Sequence, residues 1–269
     1  MEIKAHFARA HGMRFSWSSE IVDSAYEGAW NKLSVLKAAL LSELTQASRS
    51  DWILWADWDV VFTDFAFELP LEEYERRRLR LVLGGDPTAV GDGARADYLK
   101  ASTGVMLLRV HNWTLALLSR MLARGGRTSS QRRKRAREVQ ATVANLCEGC
   151  IDDQAVLLEL LHTEPQRWAR HAVLERRYLL QGYWENFRDA LPLSAAPTLV
   201  ATTPRQDSAP LRRVGAPALP PLRRKVFGLE TVPLCVHFAG CQLCSGKAPE
   251  REAACWPTFR QAVHLQRSR

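Results

Sequence analysis

Trp52-Ile-Leu-Trp-Ala-Asp57-Trp58-Asp59-Val-Val-Phe-Thr-Asp64 governs the interpretation of the whole chain. Its first half is aromatic and β-branched, free of Gly and Pro, and predicts a central buried strand over residues 52–61. Such a strand does not ordinarily end in two carboxylates one residue apart, because a charge removed from water needs a partner. For paired carboxylates that partner is commonly a hard divalent cation, Mn²⁺ or Mg²⁺, which also bridges to phosphate oxygens. A strand followed by Asp57-x-Asp59 therefore predicts a metal–diphosphate site at a strand's carboxyl end, where α/β folds place ligands. The competing interpretation is a solvated strand end with Asp59 capping a turn.

The flanking sequence repeats an α/β rhythm. Residues 2–12 read as the tail of a helix closed by Gly12, and Met13–Trp17 as a short strand. Leu33, Leu36 and Leu40 recur at helical spacing. Pro70–Arg78 reads as a short charged helix, Leu79–Gly84 and Thr103–Arg109 as further strands, and Trp113–Leu122 as an amphipathic helix. Asp152–His162 reads as a helix with Asp152 at its N-cap and Asp153 in its first turn. Tyr178–Trp184 is an extended segment, Val232–Phe238 a strand and Trp256–Leu265 a closing helix. Alternating strands and helices predict an α/β class with a mostly parallel sheet flanked by helices, in one domain over 1–269.

The chain has 269 residues, a formal charge of +8 and nine Trp, enough to bury a sizeable core. Its basicity is local. Residues 124–137 carry seven basic side chains and no acid, and residues 205–225 carry a net +5; without that +7 and +5 the remainder is −4. Neither cluster interleaves aromatics, so both are expected to be solvated loops and no nucleic-acid partner is expected. Flexible inserts are accordingly expected near 124–146, leading into a short polar helix or loop up to Cys150, and near 191–230, the latter rich in proline. No apolar run is long enough to span a membrane, and the first residues carry no signal-peptide pattern. Cys147, Cys150, Cys235, Cys241, Cys244 and Cys255 include two C-x-x-C pairs, too far apart for usual zinc-ribbon spacing. They fit disulfides in an oxidising compartment, and Asn112-Trp113-Thr114 is a glycosylation sequon.

Beyond the Asp pair, Asp152-Asp153-Gln154 is either an ordinary acidic helix start or a carboxylate–amide group aimed at a sugar carbon. His237 precedes a Gly240-Cys241 turn at a strand end, where an imidazole can complete a metal site. Lys32 is either a solvated charge or a neutraliser of a diphosphate.

In this order the pieces resemble a known family. Trp30-Asn-Lys32-Leu resembles W-x-K-L, and residues 51–64 resemble E-W-I-W-W-x-D-S-D-A-x-F-T-D. Ser102-Thr-Gly104-Val-Met-Leu-Leu-Arg resembles N-T-G-x-F-L-I-R. Asp152-Asp153-Gln154-Ala resembles D-D-Q-S, and Leu180-Gln181-Gly182-Tyr183-Trp184 resembles x-Q-G-Y-W. Val236-His237-Phe-Ala-Gly240-Cys241-Gln-Leu-Cys244 resembles T-H-F-x-G-C-x-x-C, and Cys255-Trp256 a later C-W. The chain thus resembles glycosyltransferase family 34, the galactosyl, xylosyl and mannosyl transferases that include the plant xyloglucan xylosyltransferases.

That resemblance implies a GT-A-like, Rossmann-like nucleotide-sugar domain and retaining, metal-dependent transfer to a glycan. It implies Mn²⁺ (or Mg²⁺) on Asp57, Asp59 and His237, and donor contacts from Lys32, Trp58, Ser102, Gly104 and Gly240. Asp152, Asp153 and Gln154 would serve catalysis. The donor would be UDP-xylose, UDP-galactose or GDP-mannose, the setting the lumenal side of a Golgi membrane, and the protein partners copies of itself or other transferases. Ser102 stands where the family usually has Asn, and Gln242 where plant members often have Lys. The resemblance begins at a helix that in the family follows a first strand, so the sheet is expected to lack that strand. A transferase-like binding subunit of a glycan-synthesising complex is the alternative expectation.

Overall fold

In a computed structural model, residues 2–26, 28–47, 49–91, 93–187, 233–241 and 249–267 are described. In chain order the elements are α1 (Glu2–Ala10), α2 (Asn31–Thr45), β1 (Trp52–Ala56), β2 (Val60–Phe62), α3 (Leu71–Arg76), β3 (Leu81–Gly85), β4 (Ala96–Asp97), β5 (Ala101–Arg109), α4 (Asn112–Gly125), α5 (Ser129–Thr142), β6 (Val143–Ala144), α6 (Asp153–Thr163), β7 (Ala172–Glu175), β8 (Gly182–Tyr183), β9 (Cys235–His237) and α7 (Pro249–Arg267). Among the described residues no helix is long and apolar enough to cross a membrane.

The main sheet has the order β1-β5-β3-β7, beside a three-stranded sheet β2-β9-β8 and a two-stranded pair β4-β6. The mostly parallel sheet expected from the sequence is corrected to a mixed one. β5 runs antiparallel to both β1 and β3, while β3 and β7 are parallel. The cause lies in the connection. The chain leaves β3 at Gly85 and re-enters at Ala101, its register partner, without a crossover helix. Parallel pairing needs such a crossover. β1, β3 and β7 nonetheless share one direction, so their carboxyl ends and the start of β5 meet along one rim.

The single strand expected over 52–61 is corrected to two strands, and β1 lies at the edge of the described main sheet rather than at its centre. The break falls on Asp57-Trp58-Asp59. Asp57 prolongs the β1–β5 ladder, its N–H donating to Gly104 O at 2.8 Å; two residues later Asp59 O accepts from Phe238 N at 3.0 Å in the second sheet. The two carboxylates thus straddle a change of sheet. Opposite them, pairing of β5 with β3 jumps from Leu83↔Met106 to Gly84↔Ser102. This bulge frees Thr103–Val105 from β3, a device that re-aims side chains and carbonyls.

One core cluster packs α2, α4 and α6 on one face of the main sheet through residues such as Leu36, Leu117 and Leu158. A second, with Phe7, Phe62, Tyr74 and Val82, covers the other face, and a third joins β2 and β9 to α7. Burying Leu33, Leu36 and Leu40 seats α2 so that Lys32, in its first turn, is drawn to the rim. Met13–Trp17 forms no strand; no strand is paired with it among the described residues.

In the region read as an insert near 124–146, residues 129–142 are helix α5, the helical alternative for the stretch before Cys150. Thr128 and Gln131 close a capping box, and Ala136 and Val139 are buried. Four of the seven basic residues at 124–137 clamp the chain to itself. Arg124 binds Glu138 and Glu159, Arg135 binds Glu138, Arg127 pairs with Asp23, and Arg132 donates to Ala25 O at 3.0 Å. The insert expected near 191–230, the second basic cluster, Gln242 and Cys244 lie outside the described residues. Among the described residues there are two disulfides, Cys147–Cys150 and Cys241–Cys255, the second tying the turn after β9 to α7; Cys235 is free and buried.

Candidate functional site

The rim opens into a cleft of about 2190 Å³ that is lined by every candidate donor, metal and catalytic residue read from the sequence. Among them Asp57, Asp59 and His237 each offer a ligand atom within 4.8 Å of the others'. Val60↔His237 pairing of β2 with β9 brings the imidazole beside the Asp pair. His237 Nε2 and Asp59 Oδ1 approach to 3.2 Å. Yet Asp59 Oδ1 is buried without a hydrogen bond among the described residues. A buried carboxylate oxygen left so is costly, and the arrangement suits a cation between the two atoms. Asp57 Oδ1 accepts from Trp55 Nε1 at 2.6 Å, and Asp57 Oδ2 lies 3.2 Å from Lys32 Nζ. Two carboxylates make a hard, oxygen-rich site, and the single imidazole shifts its preference from Mg²⁺ toward Mn²⁺.

Lys32 links this group to the start of α6. Its ammonium lies 2.8 Å from Asp153 Oδ2 and donates to Thr103 O at 3.3 Å, a carbonyl exposed by the bulge in β5. Burial works to lower the Lys32 pKa, but Asp153 and Asp57 together outweigh it and hold the pKa above the ordinary lysine value. Burial pushes the Asp153 carboxyl up, against the pull of Lys32. Asp152 caps α6 as expected, Oδ1 accepting from Ala155 N at 2.8 Å, while Oδ2 accepts from Tyr98 OH at 2.5 Å. Burial also raises the Asp152 pKa, with Tyr98 opposing it. Gln154 is fixed at both ends: Oε1 accepts from Thr103 N at 3.2 Å, and Nε2 donates to Tyr98 O at 2.9 Å.

The remaining residues are spread around the cleft. Trp58 is 70% exposed between its two inward-turned neighbours. Ser102 Oγ accepts from Gly104 N at 3.2 Å. Gly104 makes room: a Cβ there would come within 2.4 Å of His237 Nδ1. Gly240 adopts φ +75° after β9, a conformation that favours glycine.

Several contributors lie beyond those read from sequence. Lys4, on α1, donates from Nζ to the Asp57 carbonyl; burial lowers its pKa, with Asp59 and Asp57 opposing. Nothing local distinguishes it from a solvated helix lysine. Tyr98 and Thr103 likewise carry no motif signal of their own. Gln181 sits within the quoted Q-G-Y-W stretch, where its place in the motif was the available signal.

Residues 1–248 match the sequence profile of the galactosyl transferase GMA12/MNN10 family. The chain is 28% identical over 262 residues to "Probable glycosyltransferase 3" of Oryza sativa subsp. japonica, covering 97% of this chain and 49% of the relative. It is 26% identical to "Xyloglucan 6-xylosyltransferase 4" of Arabidopsis thaliana, covering 97% and 44%. It is 30% identical over 243 residues to "Probable glycosyltransferase 4" of Oryza sativa subsp. indica, covering 90% and 44%. The chain spans about half the length of these relatives.

Proposed function

The chain belongs to the galactosyl transferase GMA12/MNN10 family, and from that premise we propose that it is a retaining, metal-dependent glycosyltransferase. It moves a xylosyl or hexosyl unit from a nucleotide sugar to a glycan hydroxyl, on a GT-A-like nucleotide-sugar fold. The observation that carries this reading is the meeting of Asp59 Oδ1 and His237 Nε2, 3.2 Å apart, at a rim that also holds Asp57 and Lys32.

Asp57, Asp59 and His237 would hold Mn²⁺ or Mg²⁺. When bound, the cation supplies Lewis-acid stabilisation of the departing diphosphate. The bond from the sugar C1 to the phosphate oxygen breaks with its electron pair on oxygen. The acceptor hydroxyl oxygen bonds to the same carbon, and its proton passes to the diphosphate. Lys32 stays charged at this rim and stabilises the negative charge that grows on the leaving group. Carboxylates at the start of α6 favour the positive charge that develops on the sugar carbon. Gln154, immobilised by Thr103 and Tyr98, orients the sugar through its remaining lone pair and N–H. The two disulfides support an oxidising, lumenal setting such as the Golgi.

The test is a hydrolysis screen over UDP-xylose, UDP-galactose and GDP-mannose with Mn²⁺, Mg²⁺ or EDTA. Turnover of one donor with Mn²⁺ and not with EDTA is expected. Metal-dependent donor binding without turnover, with or without a glycan acceptor, would replace the enzyme by a transferase-like binding subunit.

A further inference from the structure

We infer that Gln181 is a positioning residue for His237: its amide oxygen takes the Nδ1 hydrogen and so leaves the Nε2 lone pair to the cation. This rests on the proposed metal site and assigns a role to a side chain outside it.

A histidine ligand binds metal through one ring nitrogen only if the proton sits on the other, and the partner of that other nitrogen sets the tautomer. His237 is buried at 8% exposure, with Nε2 turned toward Asp59. The ring as a whole has little access to solvent, so a protein acceptor beside Nδ1 weighs on which nitrogen carries the hydrogen. β8 runs parallel to β9 with Gly182↔Val236 and Tyr183↔His237 in register, which places Gln181 one step before that ladder, on the His237 face. Both side chains lean over Gly104. A Cβ built on Gly104 would meet His237 Nδ1 at 2.4 Å and Gln181 Oε1 at 2.9 Å, so the two atoms border one methyl-sized space. Gln181 Oε1 is itself buried with no hydrogen-bond partner among the described residues. An amide oxygen in that position needs a donor, and His237 Nδ1 borders the same space. Gly104 is then the residue whose missing side chain allows the two to meet.

The experiment compares the wild-type chain with Gln181→Leu and Gln181→Glu. The tautomer is read from ¹⁵N shifts of the His237 ring, assigned with His237→Asn, in metal-free protein carrying Asp59→Ala, which removes the carboxylate 3.2 Å from Nε2 that would otherwise draw the hydrogen there. Mn²⁺ affinity is read by electron paramagnetic resonance with Asp59 intact. In the Asp59→Ala background we expect the Nδ1–H tautomer with Gln181 present and in Gln181→Glu, and a shift toward Nε2–H in Gln181→Leu. With Asp59 intact we expect Mn²⁺ affinity about 10–100-fold weaker in Gln181→Leu. An unchanged tautomer in Gln181→Leu overturns the inference. If wild type takes up no Mn²⁺, the metal site fails and the tautomer alone decides the role of Gln181. Should Gln181→Leu not fold, the Asp59→Ala protein decides: Nε2–H there overturns the inference.

Discussion

The two ends of the site are built on opposite principles. At the Asp59–His237 end, a buried carboxylate oxygen lacks a hydrogen bond, and β5 carries a glycine where any side chain would strike the imidazole. At the Asp152–Gln154 end, Asp152 and Gln154 are hydrogen-bonded by Tyr98, Ala155 and Thr103, and Asp153 Oδ2, also buried without a hydrogen bond, is held by the Lys32 ammonium 2.8 Å away. One end leaves a carboxylate oxygen and an imidazole nitrogen for an arriving group, while the other is finished by the protein's own hydrogen bonds and ammonium. Lys32 joins them, touching Asp57 and Asp153. The contrast teaches that a sequence motif rich in carboxylates does not by itself show which of them are free to bind.

The largest effect is expected from severing the join. Lys32→Met leaves two acidic groups facing each other with Asp153 almost fully buried, and breaking such a pair costs about 3–5 kcal/mol. Denaturant unfolding reads the loss. A change under about 1 kcal/mol would mean that the two ends are independent. The same pairing sets a pH signature. Because the folded Lys32 pKa lies above the ordinary value, its contribution is fully present below pH 10.5 and lost as pH rises through the folded value. Stability measured from pH 8 to alkaline conditions should therefore fall more steeply in wild type than in Lys32→Met.

Next is Gly104→Ala, which pushes a methyl group into His237 and Gln181. Mn²⁺ affinity should fall about 10–100-fold, as for loss of a metal ligand's support. Retained affinity would show that the imidazole does not bind from this position. The smallest effect belongs to the finished end. Tyr98→Phe removes one hydrogen bond to a carboxylate and should cost about 1.5–3 kcal/mol, with Mn²⁺ affinity unchanged. A matching fall in metal affinity would merge the two ends into one unit.

Much of this architecture is legible in the residues. Trp52–Ala56 announces a strand through its aromatic and β-branched content, and Asp152 announces a helix N-cap. Strand direction was not legible, because apolar patterning reports burial and says nothing about whether β3 returns to β5 by a crossover. The single strand through 52–61 failed for a related reason: apolar residues on both sides of Asp57-Trp58-Asp59 conceal a change of sheet. For helix α5 the charge left helix and loop equally open. The partners of Arg124, Glu138 and Glu159, are distant in sequence, although Thr128-x-x-Gln131 is a visible capping box. Asp57, Asp59, Lys32 and His237 could be nominated singly, but their meeting depends on two sheets joining at one rim, which only the family resemblance anticipated. Lys4 and Tyr98 act through contacts that no local pattern encodes.

The account stands most squarely on the metal group, and Mn²⁺ titration of wild type against Asp59→Ala addresses it. The wild-type chain should take up one Mn²⁺ with saturation, more tightly when a nucleoside diphosphate is present. Asp59→Ala, still folded, should bind at least about 100-fold more weakly, about 2.7 kcal/mol of binding energy. Equal uptake by the two proteins would contradict the assignment of Asp59 and His237 to a cation.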